Sequence, residues 1–486
     1  MAGLNFKSDE SFLQKLAVGA AGTRATMARL RELGFMPVEL ERGSAGYKIW
    51  KSIKIKRVRV PDILCLRSGK RFESRGKTKL ELSMSHSLKD PNRAWDASLR
   101  QDDMVAVLLC TRVGDSPVDW VPASPIHFVR VAELKRVVTS NVVQVTKPKG
   151  VEEGSEVRMI WPIAMAHEVS TVETLSGSTI VLRSDSGTPQ RIMLGRKNVL
   201  LMPQCHQGDA IAANQIVASC VPIELTPICA EDVGEAYFRD KLQSASLSER
   251  YAAAKALRLR GYVASSEALT TRMQDPEEDI YVKLEAAAAL ASHNDDPGWV
   301  FLSDSLASQF LTIQLETVIV LSELLTPRSQ ELLIQVLTNA ERHPEIRAGA
   351  AWGLGEFRNA DSASSLIDTF NLESLEIKTE AARALLKISP AQIENVLQHF
   401  KQAVPAKRDG IAWALSRTGG YDIQSLFPEN ADDDLRRWIS FIVGFGRSNF
   451  ATEQIQALSE HDPHVEFAAS LLWQLLASWT YGLGEY

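Results

Sequence analysis

The chain is poor in the features that mark membrane, secreted and zinc-binding proteins. It has 486 residues but no run of about 18 apolar residues, the length that a membrane span needs. Its first ten residues are too polar for a secretory signal. The five cysteines are scattered without Cys-x-x-Cys pairs, which excludes a zinc finger and a disulfide framework. We therefore expect a soluble cytoplasmic protein with buried thiols and no membrane partner.

The two ends of the chain carry opposite net charge. Residues 1–150 hold 27 lysines and arginines against 15 acidic residues, whereas the remainder holds 27 against 45. A basic head on an acidic body indicates that the head meets a polyanion and that the body meets a different partner. Charge by itself does not separate a nucleic-acid-binding surface from a basic surface that is only well solvated.

The C-terminal half repeats one helical pattern. A large apolar marker residue ends each copy and recurs every 28 to 33 residues, at Leu257, Leu290, Leu321, Leu354, Leu385, Leu415, Val443 and Leu472. Small residues before each marker let a neighbouring helix approach closely, and an amphipathic segment before each copy supplies a partner helix. The spacing resembles HEAT repeats over residues 231–486. The resemblance implies an α-solenoid of helix pairs that binds a partner protein.

The middle of the chain, residues 138–230, shows no helical pattern. Short apolar runs such as Val157–Trp161 and Val199–Met202 are separated by Gly, Asp and Ser at about ten-residue spacing. This pattern is typical of an all-β domain, either a barrel or a sandwich.

The head, residues 1–137, mixes helices and strands. Residues 12–33 read as a helix that is interrupted by a glycine-rich stretch near residue 20 and closed by Gly34. Short strands follow from residue 61 to residue 84, then a helix over residues 93–101 and a buried strand over residues 104–110. The head is therefore predicted to be an α/β or α+β domain.

Two carboxylates in the head could support hydrolytic chemistry. Asp62 follows Pro61 at the start of one predicted strand, and Glu73 lies on the next, so the two side chains are expected to converge at one edge of a sheet. Paired carboxylates hold Mg²⁺ or Mn²⁺, which takes phosphate oxygens as further ligands. A neighbouring cation then stabilises the charge on a scissile phosphate.

This part of the head, residues 20–112, resembles the PD-(D/E)xK nuclease superfamily, in particular its archaeal Holliday-junction resolvases. Gly34-Phe35 ends a helix, a basic run follows, and Pro61-Asp62 opens the next strand. The resemblance implies a restriction-endonuclease-like fold and metal binding by Asp62 and Glu73. The family's catalytic lysine, two residues after the glutamate, is replaced by Arg75, which leaves Arg75 or Lys77 for its role. Arginine cannot give up a proton, so Arg75 could stabilise charge but not act as a base.

A basic run before Asp62 is the predicted nucleic-acid-binding surface. Its cations neutralise phosphates, and they are Lys48, Lys51, Lys54, Lys56, Arg57 and Arg59. An edge strand protected by lysines would look the same. Weaker candidates are His86, read as a hydrogen-bonded loop histidine, and Glu81, the fallback carboxylate. Trp95 is read as core, and Asp102-Asp103 as a solvated turn.

Two functions fit these observations. One is a Mg²⁺-dependent endonuclease whose targeting or control is assigned to the helical repeats. The other is a non-catalytic adaptor, in which a degenerate nuclease fold still grips DNA or RNA while the repeats recruit a protein. The sequence decides neither DNA against RNA nor the oligomeric state, and a homodimer is left open.

Overall fold

The computed structural model describes residues 9–40, 58–114, 119–140, 142–147, 156–184, 187–196 and 199–481. It is an α+β protein with an N-terminal sheet region and a C-terminal array of helical repeats. Contacts divide the chain into two compact units, with Ala268 the last residue of the first and Leu269 opening the main part of the second. The three domain limits expected from sequence, 1–137, 138–230 and 231–486, stay a prediction.

The first unit begins with a helix packed on a mixed sheet. Its elements are α1 (Asp9–Glu32), β1 (Pro37–Glu39), β2 (Ile63–Cys65), β3 (Arg71–Lys77), β4 (Leu82–Ser87), β5 (Met104–Arg112), β6 (Trp120–Pro122), β7 (His127–Arg130) and α2 (Val131–Val138). The sheet order is β1-β2-β3-β5-β6, and β7 also pairs with β5. Strands β1, β2 and β3 are antiparallel, whereas β3 and β5 run parallel. The predicted first helix is confirmed, and Gly34 closes it with φ +82°.

The glycines in the first helix mark a close contact and not a break, so the predicted interruption near residue 20 is wrong. Helix α1 is continuous and packs on β3. A Cβ added at Gly22 would lie 2.9 Å from the Cα of Gly76, and one added at Gly76 would lie 2.4 Å from the Val18 carbonyl oxygen. Glycine is required at both positions because backbone meets backbone there.

The connection from β3 to β5 also differs from the prediction. Residues 93–101 form turns after a short 3₁₀ helix at Pro91–Arg93 and no α-helix. Strand β4 leaves the main sheet and pairs with the strand Glu156–Trp161 of the following region. The crossover is therefore tied to a strand more than 60 residues away, which local periodicity cannot show.

The region after α2 is built of strands, as predicted. They are β8 (Gln144–Thr146), β9 (Glu156–Trp161), β10 (Ile163–Met165), β11 (Ser170–Leu175), β12 (Thr179–Ser184), β13 (Pro189–Met193), β14 (Gly195–Arg196), β15 (Val199–Leu200), β16 (Met202–Pro203), β17 (Ala210–Ile211) and β18 (Ile216–Ser219). Within the described residues their sheets are open, β4-β9-β8, β10-β18-β16 and β13-β12-β11-β17 among them. The predicted β character is confirmed, whereas a barrel is not shown by these sheets and the choice between barrel and sandwich stays a prediction. One hydrophobic cluster extends from Leu80 to Val221, so the head and this region share a core.

A buried ion pair supports the start of β3. Arg71 is 1% exposed and Asp103 is fully buried, and Nη2 of Arg71 lies 2.6 Å from Oδ2 of Asp103. The same guanidinium donates to Ser248 Oγ at 2.8 Å. The reading of Asp103 as part of a solvated turn is wrong, because the carboxylate neutralises an arginine inside the core.

From Gly234 onward the described part of the chain is built of helices. The first three are α3 (Gly234–Lys241), α4 (Leu247–Leu259) and α5 (Ser266–Gln274). The second unit continues with α6 (Ile280–Ser292), α7 (Asp296–Leu306), α8 (Leu311–Leu324), α9 (Pro327–Thr338), α10 (Pro344–Leu354), α11 (Ala360–Ile367), α12 (Leu375–Ile388), α13 (Ile393–Gln402), α14 (Pro405–Leu415), α15 (Asp433–Phe445), α16 (Thr452–His461) and α17 (Pro463–Tyr481).

The predicted helical signature forms one layer of the second unit. Helices α6, α8, α10, α12, α14, α15 and α17 contact one another in succession, and α7, α9, α11, α13 and α16 pair with them. The markers from Leu257 to Val443 are fully buried, and Leu472 is half-buried. The prediction of stacked helix pairs is confirmed. None of the described helices is long and apolar enough to cross a membrane. The cysteines are free thiols, four of them buried and Cys229 half-buried.

Candidate active site

The two predicted carboxylates lie on neighbouring strands. Strands β2 and β3 pair antiparallel with Ile63 opposite Phe72, so one further step places Asp62 opposite Glu73. Asp62 is buried, and its Oδ2 accepts the backbone N–H of Ser74 at 2.6 Å. The strand register thus places Asp62 opposite Glu73, across the turn that separates them in the sequence.

Strand β3 sorts its side chains onto two faces. Ser74 faces α1, where its Oγ lies 3.3 Å from Oγ1 of Thr26. Because side chains alternate along a strand, Glu73, Arg75 and Lys77 share the opposite face. The catalytic candidates of this strand therefore point the same way.

These three side chains line one polar cavity of about 210 Å³. Arg59 and Ser83 add polar groups, while Met84 and Trp95 supply apolar wall. Asp62 is not among the described residues of the lining. Three cations face one carboxylate here, so the cavity favours an anion.

An ion pair joins the first two residues of this face. Nη2 of Arg75 lies 2.6 Å from Oε1 of Glu73, with the two side chains 39% and 15% exposed. Arg75 therefore stands where the resemblance places a lysine, and its charge is directed at the predicted metal-binding carboxylate.

Lys77 carries an amine whose surroundings change its protonation. Its Nζ donates to the Ser83 carbonyl oxygen at 2.8 Å. Burial, followed by the charges of Arg75 and Arg158, lowers the pKa of Lys77 to about 8, against an opposing effect of Glu81. An amine with this pKa exchanges a proton near neutral pH, which Arg75 cannot do.

Sequence reasoning missed two neighbours of Lys77, namely Ser83 and Arg158. Strand pairing places Ser85 of β4 opposite Arg158 of β9, and Nη2 of Arg158 donates to Ser83 Oγ at 3.1 Å. Glu81, the fallback carboxylate of the sequence analysis, forms an ion pair with Arg158. No local signal joins these residues, because 75 positions separate Ser83 from Arg158.

A divalent cation would have few protein ligands here. The described part of the chain holds no group of three or more His, Cys, Asp or Glu side chains arranged for a metal. Two carboxylates on adjacent strands still fit Mg²⁺, which retains waters and takes substrate phosphates as ligands. A cation held by Asp62 and Glu73 stays a prediction, because Glu73 lines the cavity and Asp62 is not among its described lining residues.

Most of the predicted nucleic-acid-binding run lies outside the described residues, namely Lys48, Lys51, Lys54, Lys56 and Arg57. Arg59 is described, and its Nη1 donates to the Ala94 carbonyl oxygen at 2.9 Å beside the cavity. His86 accepts the Trp95 N–H through Nδ1 at 3.4 Å, as expected of a hydrogen-bonded histidine, but it lies on strand β4 and not in a loop. Trp95 is 7% exposed, which confirms its place in the core.

Comparison with known proteins bears on the helical repeats. Residues 331–416 match the HEAT repeats family, which confirms that prediction for this part of the chain. The chain is similar to the complex of CpcE and CpcF of phycocyanin lyase from Nostoc sp. PCC7120, at 16% identity and a TM-score of 0.24, over 51% of this chain and 96% of that chain. It is also similar to human deoxyhypusine hydroxylase in complex with glycerol, at 16% identity and a TM-score of 0.19, over 49% of this chain and 84% of that chain. No curated protein matches the chain.

Proposed function

We propose that the first unit is a metal-dependent phosphodiesterase of the PD-(D/E)xK kind that acts on nucleic acid, and that the HEAT repeats bind a protein that targets or controls it. One observation carries the catalytic part. Glu73, Arg75 and Lys77 project from one strand face into one cavity, with Asp62 opposite Glu73 in the strand register.

The cavity suits a phosphodiester by charge. Arg59, Arg75 and Lys77 outnumber its one carboxylate, so a phosphate is drawn in, and Arg75 is placed to stabilise the charge that develops on its oxygens. Asp62 and Glu73 would hold Mg²⁺. When bound, the cation supplies charge neutralisation at the phosphate.

Lys77 is the proposed general base. In its neutral form the amine takes a proton from a water molecule while the water oxygen bonds to phosphorus and the ester P–O bond breaks. The leaving oxygen is protonated by solvent, and Lys77 returns its proton to solvent. Its pKa of about 8 puts this step within reach near neutral pH.

The adaptor remains the second candidate, and the Glu73–Arg75 ion pair favours it. An arginine 2.6 Å from the glutamate neutralises the site without a metal, which fits a surface that grips phosphates and does not cut. The two candidates differ in turnover and agree on binding.

Cleavage separates them. Purified protein with Mg²⁺ or Mn²⁺ should cut labelled single-stranded DNA, duplex DNA, a four-way junction or RNA, with a rate that rises about tenfold per pH unit below pH 8 and levels above it. Lys77→Met should abolish cutting, whereas Lys79→Met is the matched control. Lys79 lies two residues away, is 78% exposed and pairs with Glu81. Glu73→Gln should lose both cutting and Mn²⁺ binding measured by electron paramagnetic resonance.

Binding in EDTA completes the experiment. Replacement of Lys51, Lys54, Lys56 and Arg57 with alanine should reduce the salt dependence of nucleic-acid binding by about one unit of slope per lost phosphate contact. If the protein binds nucleic acid but cuts it with neither Mg²⁺ nor Mn²⁺, the endonuclease is excluded and the non-catalytic adaptor is supported. Equal cutting by Lys77→Met and the parent would remove Lys77 from the mechanism.

A further inference from the structure

The HEAT repeats expose the same helix positions in register. Counted from each buried marker, the residues two positions before and two positions after it lie on one helix face. At α10, α12, α14 and α15 these residues are half-buried or exposed, with Glu356 and Arg417 in the turns that directly follow α10 and α14. They are Trp352, Glu356, Arg383, Lys387, Trp413, Arg417, Phe441 and Phe445. We call this set the ridge. Lys387 lies over the ring of Trp352 on the neighbouring helix at 5.3 Å, so the ridge residues of α10 and α12 are in contact.

The C-terminal end of the ridge is a chain of stacked rings. The Arg417 guanidinium lies 4.1 Å from the Trp413 ring centroid and 4.3 Å from that of Phe445. Phe445 stacks on Phe441 at 5.5 Å, and Phe441 meets Trp438 edge-on at 5.7 Å. We call these five residues the aromatic ladder. All four rings are half-buried, so their outer edges reach solvent.

Arg417 differs from the other cations of the ridge. Lys387 lies 2.7 Å from Glu356, and Arg383 lies 2.7 Å from Glu380. Throughout the described ranges, by contrast, no carboxylate lies within 4.0 Å of the exposed Arg417 guanidinium. It donates to the Trp413 carbonyl oxygen at 3.2 Å and is held between two rings. An arginine fixed in this way has lost its side-chain freedom before a ligand arrives.

We propose that the aromatic ladder binds an extended acidic and apolar segment of a partner protein. One carboxylate of the segment pairs with Arg417, and neighbouring apolar side chains pack on Phe441, Phe445 and Trp438. Tryptophan and arginine are the residues that most often dominate binding at protein interfaces. The inference rests on the proposed protein-binding role of the repeats and is independent of cleavage.

Charge decides between this occupant and nucleic acid. Residues 151–486 carry 45 acidic against 27 basic residues, and a polyanion would meet that excess along its length. A short segment with one or two carboxylates carries far less negative charge against that excess than a strand of phosphates does. A peptide therefore fits better than a strand of phosphates.

Fluorescence anisotropy of the full chain tests the proposal. The probes are a labelled twelve-residue peptide of leucine, alanine and two glutamates, the same peptide with glutamines in their place, and a labelled twelve-nucleotide single strand. The glutamate peptide should bind at least tenfold more tightly than the glutamine peptide. Arg417→Gln should remove that preference, Arg417→Lys should restore part of it, and Phe441→Ala should weaken both peptides.

The control is Arg383→Gln, an arginine of the ridge that lies two positions before its marker on α12 and already pairs with Glu380. It should leave peptide affinity unchanged. Equal affinity for the two peptides, equal effects of Arg417→Gln and Arg383→Gln, or no binding of either peptide would overturn the proposal. The proposal would also be overturned if the DNA strand bound more tightly than the glutamate peptide and Arg417→Gln weakened that binding. Self-association of the chain in sedimentation that Arg417→Gln abolishes would overturn it as well. Nucleic-acid cleavage is measured separately on the same preparations. Failure of cleavage therefore bears on the proposed nuclease, and failure of peptide binding bears on the aromatic ladder.

Discussion

Acid should destabilise the first unit through one buried histidine. His127 of β7 is fully buried. Its Nε2 accepts the Ile216 N–H at 2.9 Å, and its Nδ1 donates to the Val107 carbonyl oxygen at 3.3 Å. Both nitrogens are therefore satisfied only in the neutral ring. Burial lowers the pKa of His127 to about 4, against a smaller opposing effect of the Val107 carbonyl.

The pH dependence of the free energy of unfolding follows from the protonation of His127 in the folded and the unfolded chain. Above about pH 6.5, the ordinary histidine pKa, the ring is neutral in the folded and unfolded chain alike and contributes its full stability. As pH falls toward 4, the unfolded chain binds a proton that the folded chain does not. The free energy of unfolding then falls by about 1.4 kcal/mol per pH unit, or about 3 kcal/mol in all.

The free energy of unfolding of the first unit can be measured by pulsed hydrogen exchange in urea at pH 7.0, 6.0 and 5.0. Mass spectrometry of peptides that contain β7 and β18 reports the exchange. His127→Gln removes the titrating ring, so its unfolding free energy should fall less over this range than that of the parent, by about 2 kcal/mol at pH 5.0. His206→Gln, at a histidine whose side chain is 93% exposed, is the control. The same pH dependence in the parent and His127→Gln would refute the reasoning.

Two further predictions concern stability. Gly22→Ala should destabilise the first unit by about 1–3 kcal/mol because its Cβ would meet the Gly76 backbone, whereas Gly19→Ala in the same helix meets nothing within 4 Å and should stabilise by about 0.5–1 kcal/mol; urea unfolding of both variants checks the opposite signs. Arg71→Met leaves Asp103 buried beside fewer donors and should cost about 3–5 kcal/mol, whereas Arg183→Met breaks an exposed pair with Glu173 and should cost less than about 1 kcal/mol. Similar losses in the two arginine variants would contradict the assigned burial.

Much of the fold was predictable because it follows from the local spacing of apolar residues along the sequence. The marker leucines repeat at helix-pair spacing, and their burial follows from an apolar stripe that one helix cannot cover alone. The first helix, the strands around Asp62 and Glu73 and the all-β character of the middle region follow from patterns a few residues long. The antiparallel pairing of β2 with β3 was likewise accessible, since only a tight turn separates the two strands.

Tertiary structure decided what depends on distant neighbours. The glycines of α1 look like a break until β3 lies against them, and Asp103 looks solvated until Arg71 reaches it. The pKa of Lys77 depends on burial beneath β4 and on Arg158 from β9, a strand that the sequence could not assign to the head. Local patterns record how one segment divides its faces between core and solvent. They do not record which remote segment fills the space opposite, and that neighbour sets the burial and charge of each group in the cavity.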